Sequence, residues 1–257
     1  MSHKNKTNFS PYKNRQQRSS NAKHRQPEEV FSPEEANDRL YDIFRNHDFS
    51  EISHPERVQF AKFYWLLMKA QEKDNFTRLL KLRDIAIKHF IDCLMVPRLL
   101  KLEFPLLDLG TGPGFPGIPL KIVFPKEKII LAEGVQRRVE FLKKVREELQ
   151  LPELDIVGRN INSFFSYPVR GVITRAVEDI RNTLTNVSSC LQSGGCVYFM
   201  KGPGVDPEIQ MAKKDMGEFY KQEADIAYTL PSTKHQRRLL VFRKIKMGPL
   251  VDFDEGS

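Results

Sequence analysis

Short apolar runs alternate with helical patterns along most of the chain, and this alternation restricts the fold more than any other feature. Predicted strands cover residues 104–109, 128–132, 154–157, 169–174, 196–200, 226–230 and 239–243, and predicted helices cover 118–124, 136–149 and 180–191, with a polar helix after Pro207. A strand that is regularly followed by a helix indicates a mostly parallel sheet. We therefore predict a Rossmann-like α/β domain at residues 101–246, with a twisted sheet and helices on both faces.

Two capping boxes precede this domain. Ser32-Pro33-Glu34-Glu35 and Ser53-His54-Pro55-Glu56 each place a hydroxyl before a helix, proline at its first turn and glutamate at its third position. They predict helices over 33–46 and 54–73, and helical spacing predicts a third over 82–94. Residues 28–100 should therefore form a small helical N-terminal segment.

The net charge of +8 is concentrated at one end of the chain. Residues 1–27 contain seven Lys or Arg and no Asp or Glu, which leaves 34 basic and 33 acidic residues elsewhere. This apolar-poor segment should be a disordered basic tail, and residues 247–257 an acidic, frayed C-terminus. The tail fits either a solubilising role or an arm that binds nucleic acid.

Composition excludes several classes of protein. No run of eighteen apolar residues could span a membrane, and the N-terminus has no apolar region of a secretory signal. The three widely spaced cysteines favour neither a disulfide framework nor a zinc site. We expect a cytoplasmic protein, monomeric, without metal and without a membrane partner.

The stretch DLGTGPGFPGIP, residues 108–119, is the strongest functional motif. Gly112, Gly114 and Gly117 form a literal GxGxxG, which would suit the pyrophosphate of a nicotinamide cofactor. Asp108 would repel a phosphate, and the D-x-G-x-G-x-G order favours S-adenosylmethionine, which has an ammonium and a sulfonium group. Glu133 follows the second strand, where an acid can bind ribose hydroxyls of either cofactor.

Several segments together resemble the ribosomal RNA small subunit methyltransferase G family, also called glucose-inhibited division protein B. They are LLDLGTGPGFPGIPLKIVFP, Glu133 with Arg137-Arg138, Thr174-Arg175-Ala176-Val177, Met200-Lys201-Gly202, Asn75-Phe76-Thr77, His89-Phe90-Ile91-Asp92 and Gln236-Arg237-Arg238-Leu239. The resemblance covers about residues 60–244. It implies a class I methyltransferase that methylates guanosine N7 in small-subunit (16S) ribosomal RNA or the small ribosomal subunit, with S-adenosylmethionine as cofactor.

The resemblance also implies site residues. Gly110 and Phe115 would line the cofactor, Asn160 and Ile161 would lie near its adenine, and Arg175 would close the site. With the motif residues, the predicted cofactor set is Asp108, Gly110, Gly112, Gly114, Phe115, Glu133, Asn160, Ile161 and Arg175. The chain departs from the family at Glu133-Gly134, where Asp-Ser is usual, at Ala70-Gln71, and at Arg238, where histidine is usual.

Methylation at guanine N7 needs no general base, because this nitrogen carries a free lone pair. Catalysis should then depend on proximity and orientation. Arg175 and Lys201 follow strands at the ligand edge and are candidates for positioning, while Lys201, Arg237 and Arg238 are candidates for binding RNA. Asn75 and His89 are more simply interpreted as structural residues of the helical segment.

Two alternatives stay open from the sequence. A nicotinamide-dependent oxidoreductase would use the literal GxGxxG, although no second substrate domain is evident. A non-catalytic RNA-binding or ribosome-assembly factor could keep the same fold, although the intact glycine loop speaks against it.

Overall fold

The computed structural model describes residues 25–175 and 178–247. Nearly all of the predicted basic tail, most of the predicted acidic C-terminus, and Ala176 and Val177 of the Thr-Arg-Ala-Val motif therefore lie outside the described residues.

A seven-stranded sheet forms the centre of the fold, in the order β3-β2-β1-β4-β5-β7-β6. The strands are β1 Leu106–Leu109, β2 Ile129–Ala132, β3 Leu154–Val157, β4 Val169–Arg175, β5 Leu191–Lys201, β6 Tyr220–Thr229 and β7 Gln236–Lys244. β1 to β5 pair in parallel, and β7 pairs antiparallel with β5 and β6. The predicted mostly parallel sheet is confirmed, and the strand order reverses at β1, whose carboxyl end leads into the glycine loop.

The helices follow the predicted order. They are α1 Pro33–Asn46, α2 His54–Gln71, α3 Leu82–Ile85, a π-helical turn Ala86–Ile91, α4 Asp92–Leu99, α5 Gly117–Val123, α6 Gln136–Glu148, α7 Ile180–Asn186 and α8 Asp206–Met216. Both predicted capping boxes are present, with Ser32 and Ser53 each accepting a backbone hydrogen bond at the third helical position. The predicted third helix is interrupted by the π-turn, a feature that often marks functional sites.

One predicted helix was wrong at its end. The helix expected over 180–191 stops at Asn186, and Ser193-Gly194-Gly195, a sequence typical of a helix stop, lies inside β5. The glycines have another role there. A Cβ atom at Gly195 would meet the Arg170 carbonyl oxygen at 2.6 Å, next to an irregularity in the pairing of β4 with β5.

The helical segment shares its hydrophobic core with the sheet. Phe60 and Phe63 of α2 pack on Phe90 of the π-turn, and Phe63 also packs on Phe115 of the glycine loop, with ring centroids 5.3 Å apart. The same cluster of buried residues continues into β1, β2 and β5. The helices are thus fixed beside the carboxyl edge of the sheet. No helix within residues 25–175 and 178–247 is long and apolar enough to cross a membrane.

The close packing of Gly171 predicts a stability difference. A Cβ atom there would collide with the Glu103 carbonyl oxygen and approach Leu106 Cδ1 to 2.8 Å, whereas one at exposed Gly202 meets nothing within 4 Å. We expect Gly171→Ala to lower the free energy of unfolding by about 1–3 kcal/mol, and Gly202→Ala to have little effect. Urea denaturation of both variants measures this, and equal midpoints would contradict it.

Candidate active site

The glycine loop lies at the carboxyl end of β1 with one side open. Gly110, Gly112 and Gly114 have φ values of 67°, 61° and 109°, in the left-handed region that favours glycine. A Cβ atom at Gly112 would meet nothing within 4 Å, whereas one at Gly114 would lie 2.6 Å from Ile118 Cγ1. The backbone around Gly112 is therefore accessible to a ligand, and the backbone at Gly114 is packed against the protein.

Asp108 does not face that open side, which corrects the expectation that its carboxylate pairs with a cationic ligand. The side chain is fully buried, and Oδ2 accepts hydrogen bonds from Thr111 Oγ1 at 2.5 Å and Gly117 N at 2.7 Å. Burial raises the pKa of Asp108 to about 7, although these two donors oppose the shift. Asp108 thus holds both ends of the glycine loop and affects a ligand only indirectly.

Glu133 clamps the open side of the loop to the end of β2. Its Oε2 accepts from Gly112 N at 3.0 Å and its Oε1 accepts from Val135 N at 2.8 Å, while Arg138 lies 3.5 Å from Oε2. The residue is buried beside the glycine loop, where the sequence interpretation expected the ribose-binding acid. A carboxylate in this position combines loop support with acceptor atoms for hydroxyl groups.

A small cleft opens between the ends of β1, β2 and β3. It has a volume of about 50 Å³ and is lined by Leu109, Gly110, Ala132, Arg159, Asn160, Ile161 and Glu178. Three predicted cofactor residues, Gly110, Asn160 and Ile161, are brought together here. Its lining combines apolar side chains, the Asn160 amide, which can donate and accept hydrogen bonds, and the charged side chains of Arg159 and Glu178.

The residue after Glu133 explains one departure from the family pattern. A Cβ atom at Gly134 would collide with the Asn160 side-chain amide. The glycine therefore leaves room for the Asn160 side chain in its observed position. Arg159 and Glu178 also line the cleft, but they were not predicted from the sequence. They lie after β3 and β4, and this position after a strand is the feature that could have indicated them.

Phe115 belongs to the core beneath the loop, which corrects its expected place against the cofactor. It is 2% exposed, its ring stacks on His89 with centroids 4.3 Å apart, and it also contacts Phe63. Its contribution is to fix the loop on the helical segment.

Arg175 lies at the carboxyl end of β4, as predicted, and its guanidinium contacts residues of the helical segment and the glycine loop. Its Nη2 lies 3.0 Å from His89 Nδ1, its Nη1 lies 3.6 Å from Asp92 Oδ2, and its guanidinium lies over the Phe115 ring. Burial, and then the neighbouring Arg175 charge, lower the pKa of His89 to about 3. His89, interpreted from sequence as merely structural, is therefore a neutral neighbour of a predicted site residue.

The predicted RNA-binding cations are all paired within the protein. Lys201 Nζ lies 2.8 Å from Glu208 Oε2 and also donates to the Glu178 carbonyl oxygen. Arg237 Nε lies 3.2 Å from the buried Asp92, and Arg238 binds Asp206 at 2.8 Å and Asp225 at 2.6 Å. Their role as phosphate ligands stays a prediction, in which an RNA phosphate would compete with a carboxylate that is already in place.

Metal ligation finds no support in the described part of the chain. No group of three or more His, Cys, Asp or Glu side chains could hold an ion there, and the cysteines are buried and unpaired.

Comparison with known proteins identifies the family. Residues 56–240, more than half of the chain, match the family described as rRNA small subunit methyltransferase G. The chain belongs to this family. It is 65% identical to ribosomal RNA small subunit methyltransferase G 2 of Bdellovibrio bacteriovorus over 91% of this chain and 92% of that protein. It is 34% identical to ribosomal RNA small subunit methyltransferase G of Carboxydothermus hydrogenoformans, over 76% and 86%.

Among solved structures, the fold is similar to a tRNA (m1A58) methyltransferase from Aquifex aeolicus. The TM-score is 0.46 at 16% identity, over 61% of this chain and 69% of that one. With the strand order and the family match, the expected Rossmann-like class I methyltransferase fold is confirmed.

The raised pKa of Asp108 gives a test by pH. The folded-state carboxyl is protonated below about pH 7, whereas an unfolded aspartate ionises near pH 4. Its contribution to stability is thus present at low pH and lost as pH rises through about 7. We expect the free energy of unfolding of Asp108→Asn, measured by urea denaturation, to increase relative to that of wild type as the pH is raised from 5 to 9.

Asp108→Leu serves as the control for that comparison. It leaves the Gly117 N–H and the Thr111 hydroxyl without an acceptor, so it should be less stable than Asp108→Asn by roughly 2 kcal/mol or more at either pH. A constant difference between wild type and Asp108→Asn across pH would show that the Asp108 carboxyl does not titrate in this range.

Proposed function

We propose that this protein transfers a methyl group from S-adenosylmethionine to N7 of a guanosine in 16S ribosomal RNA, in the cytoplasm. The observation that carries the proposal is the open glycine loop, clamped by Glu133 beside the Asn160 cleft, in a chain of the methyltransferase G family. The family membership also favours S-adenosylmethionine over a nicotinamide cofactor for the literal GxGxxG.

The residues present fit S-adenosylmethionine. The apolar side chains of the cleft and Asn160 suit the adenine, Glu133 offers carboxylate oxygens near the ribose, and the accessible backbone at Gly112 suits the methionine part. When bound, this cofactor supplies a methyl group on a positively charged sulfur. Binding requires the cofactor to approach the Gly112 backbone closely, and glycine permits this because it has no side chain.

The protein contributes orientation rather than proton transfer. Guanine N7 attacks through its own lone pair, so no residue has to remove a proton. His89 is neutral and partly buried, and a pKa near 3 makes it a poor proton carrier at neutral pH. Placing two reactants in line can be worth about 7–11 kcal/mol, and the rigid loop and the fixed Arg175 provide such placement.

Methyl transfer tests the proposal directly. Wild type, Gly112→Asn and Gly194→Asn are incubated with S-adenosylmethionine and 16S RNA or small subunits, and the methylated atom is mapped by cleavage at N7-methylguanosine. Gly194 is a matched control, because it also has positive φ and open space at its Cβ position but lies away from the site.

We expect wild type and Gly194→Asn to methylate guanosine N7 and to bind the cofactor equally in calorimetry. Gly112→Asn should bind it at least about tenfold more weakly, a loss of ~1.4 kcal/mol. Retained RNA binding without any methyl transfer by wild type would instead support a non-catalytic assembly factor. Transfer to another atom would refute the N7 assignment.

The basic segment outside the described residues gives a further prediction. Residues 1–24 contain Lys4, Lys6, Lys13, Arg15, Arg18 and Lys23, while the predicted cations of the body are already paired. Deleting 1–24 should weaken RNA binding and make log K less steep against log salt, by about 0.7 for each lost phosphate contact. Changing the six residues to Gln in the full-length protein should reduce the RNA affinity and the salt dependence in the same way. Unchanged affinity and slope would refute the hypothesis that this segment binds RNA.

A further inference from the structure

A partly buried polar cluster surrounds the Arg175 guanidinium at the junction of the helical segment and the sheet. It contains His89 on the π-turn, Thr77 before α3, Asp92 at the start of α4, and Arg175. We propose that His89 is a positioning residue that directs the Arg175 guanidinium toward the phosphate of the target nucleotide, an inference that rests on the proposed RNA methylation.

The hydrogen bonds fix the tautomer of His89. Arginine can only donate, so His89 Nδ1, 3.0 Å from Arg175 Nη2, must accept. The proton of the neutral ring is then on Nε2, which lies 3.2 Å from Thr77 Oγ1. Thr77 Oγ1 also accepts from Leu79 N at 3.1 Å, and a hydroxyl oxygen has lone pairs for both donors. The chain of bonds is thus consistent from Leu79 to Arg175.

The ring of His89 is also fixed in its plane. It stacks on Phe115 with an interplanar angle of 24°, and Phe115 belongs to the glycine loop. The Lys88 carbonyl oxygen accepts from Arg175 Nη1 at 3.4 Å, so the π-turn supplies two acceptors to one guanidinium. The direction of Arg175 is therefore coupled to the loop that is proposed to hold the cofactor.

A neutral partner distinguishes Arg175 from the other predicted cations. Lys201, Arg237 and Arg238 each have a carboxylate oxygen within 3.2 Å. The Arg175 partner at 3.0 Å is an uncharged imidazole, and its nearest carboxylate contact is longer, at 3.6 Å to an oxygen of Asp92, whose other oxygen binds Arg237. An uncharged acceptor orients a guanidinium without cancelling its charge.

That remaining charge suits an anion. A fixed guanidinium binds phosphate through two parallel N–H donors, so its orientation decides whether both bonds form. The cofactor carboxylate is the competing anion, and the experiment separates the two. A contact to the guanine edge is less favourable, because positive charge develops on the purine during methylation.

Two substitutions at His89 separate orientation from packing. His89→Asn can keep an acceptor near the position of Nδ1, whereas His89→Gln places its amide near the position of Nε2. Both lose the ring that stacks on Phe115, so the loss of packing is matched. The measurements are the thermal midpoint, cofactor affinity by calorimetry, RNA affinity by filter binding, and kcat and KM for 16S RNA.

We expect His89→Asn to keep most of the wild-type kcat/KM and RNA affinity. His89→Gln should lose about tenfold or more in kcat/KM, the usual scale for a hydrogen bond to a charged group, with equal thermal midpoint and unchanged cofactor affinity. Thr77→Val removes the acceptor for the His89 Nε2 proton and so permits the tautomer with the proton on Nδ1. It should also lower kcat/KM and leave the cofactor affinity unchanged.

Equal effects of His89→Asn and His89→Gln would overturn the proposal, because packing alone would then explain them. A parallel loss of cofactor affinity would overturn it too, by showing that Arg175 binds the cofactor carboxylate. If wild type transfers no methyl group, the proposed activity fails, but RNA affinity of the two variants still tests the orientation of Arg175. If both variants unfold, Thr77→Val supplies the same comparison.

Discussion

The hydrogen bonds to the buried Asp108 carboxylate hold the glycine loop in its conformation. Oδ2 draws Thr111 and the first residue of α5, Gly117, onto the end of β1. Gly117 has to be glycine, because a Cβ atom there would collide with Leu131 and approach the carboxylate itself. Between these ends, the hydrogen bond from Gly112 N to Glu133 and backbone hydrogen bonds from Thr111 N to Ala132 O and from Gly114 N to Thr111 O hold the middle of the loop. The ligand-facing surface is thus supported entirely from behind.

At the neighbouring strands, a second buried carboxylate, that of Asp92, also connects separate elements. Asp92 is buried, and burial raises its pKa, but Arg237 and Arg175 on two strands oppose that shift. Removing either arginine would leave a buried carboxylate with less compensation, a change that commonly destabilises proteins strongly. The ends of β4 and β7 are therefore tied to the helical segment through one acidic side chain. Arg237, at 3.2 Å from Asp92, carries most of this compensation, because the Arg175 contact is longer, at 3.6 Å.

The sequence was sufficient for the order of the elements, the helix caps and the family, because each depends on local pattern. It was insufficient where a residue's partner is distant in the chain. Arg237 and Asp92 are far apart in sequence, so nothing local showed that the arginine is already paired. Asp108 was placed toward the ligand because its burial depends on α5 folding back over β1. Gly194 and Gly195 have the composition of a helix stop, although their conformation serves the β5 strand.

The helical segment is part of the site rather than an addition to it. The π-turn adds one residue to a helical turn, and this changes which backbone and side-chain groups point at β4. His89 and the Lys88 carbonyl both reach Arg175 from that turn, while Phe115 of the glycine loop packs on the same ring. The sheet edge carries the glycine loop, and the helical segment fixes the Arg175 guanidinium beside it.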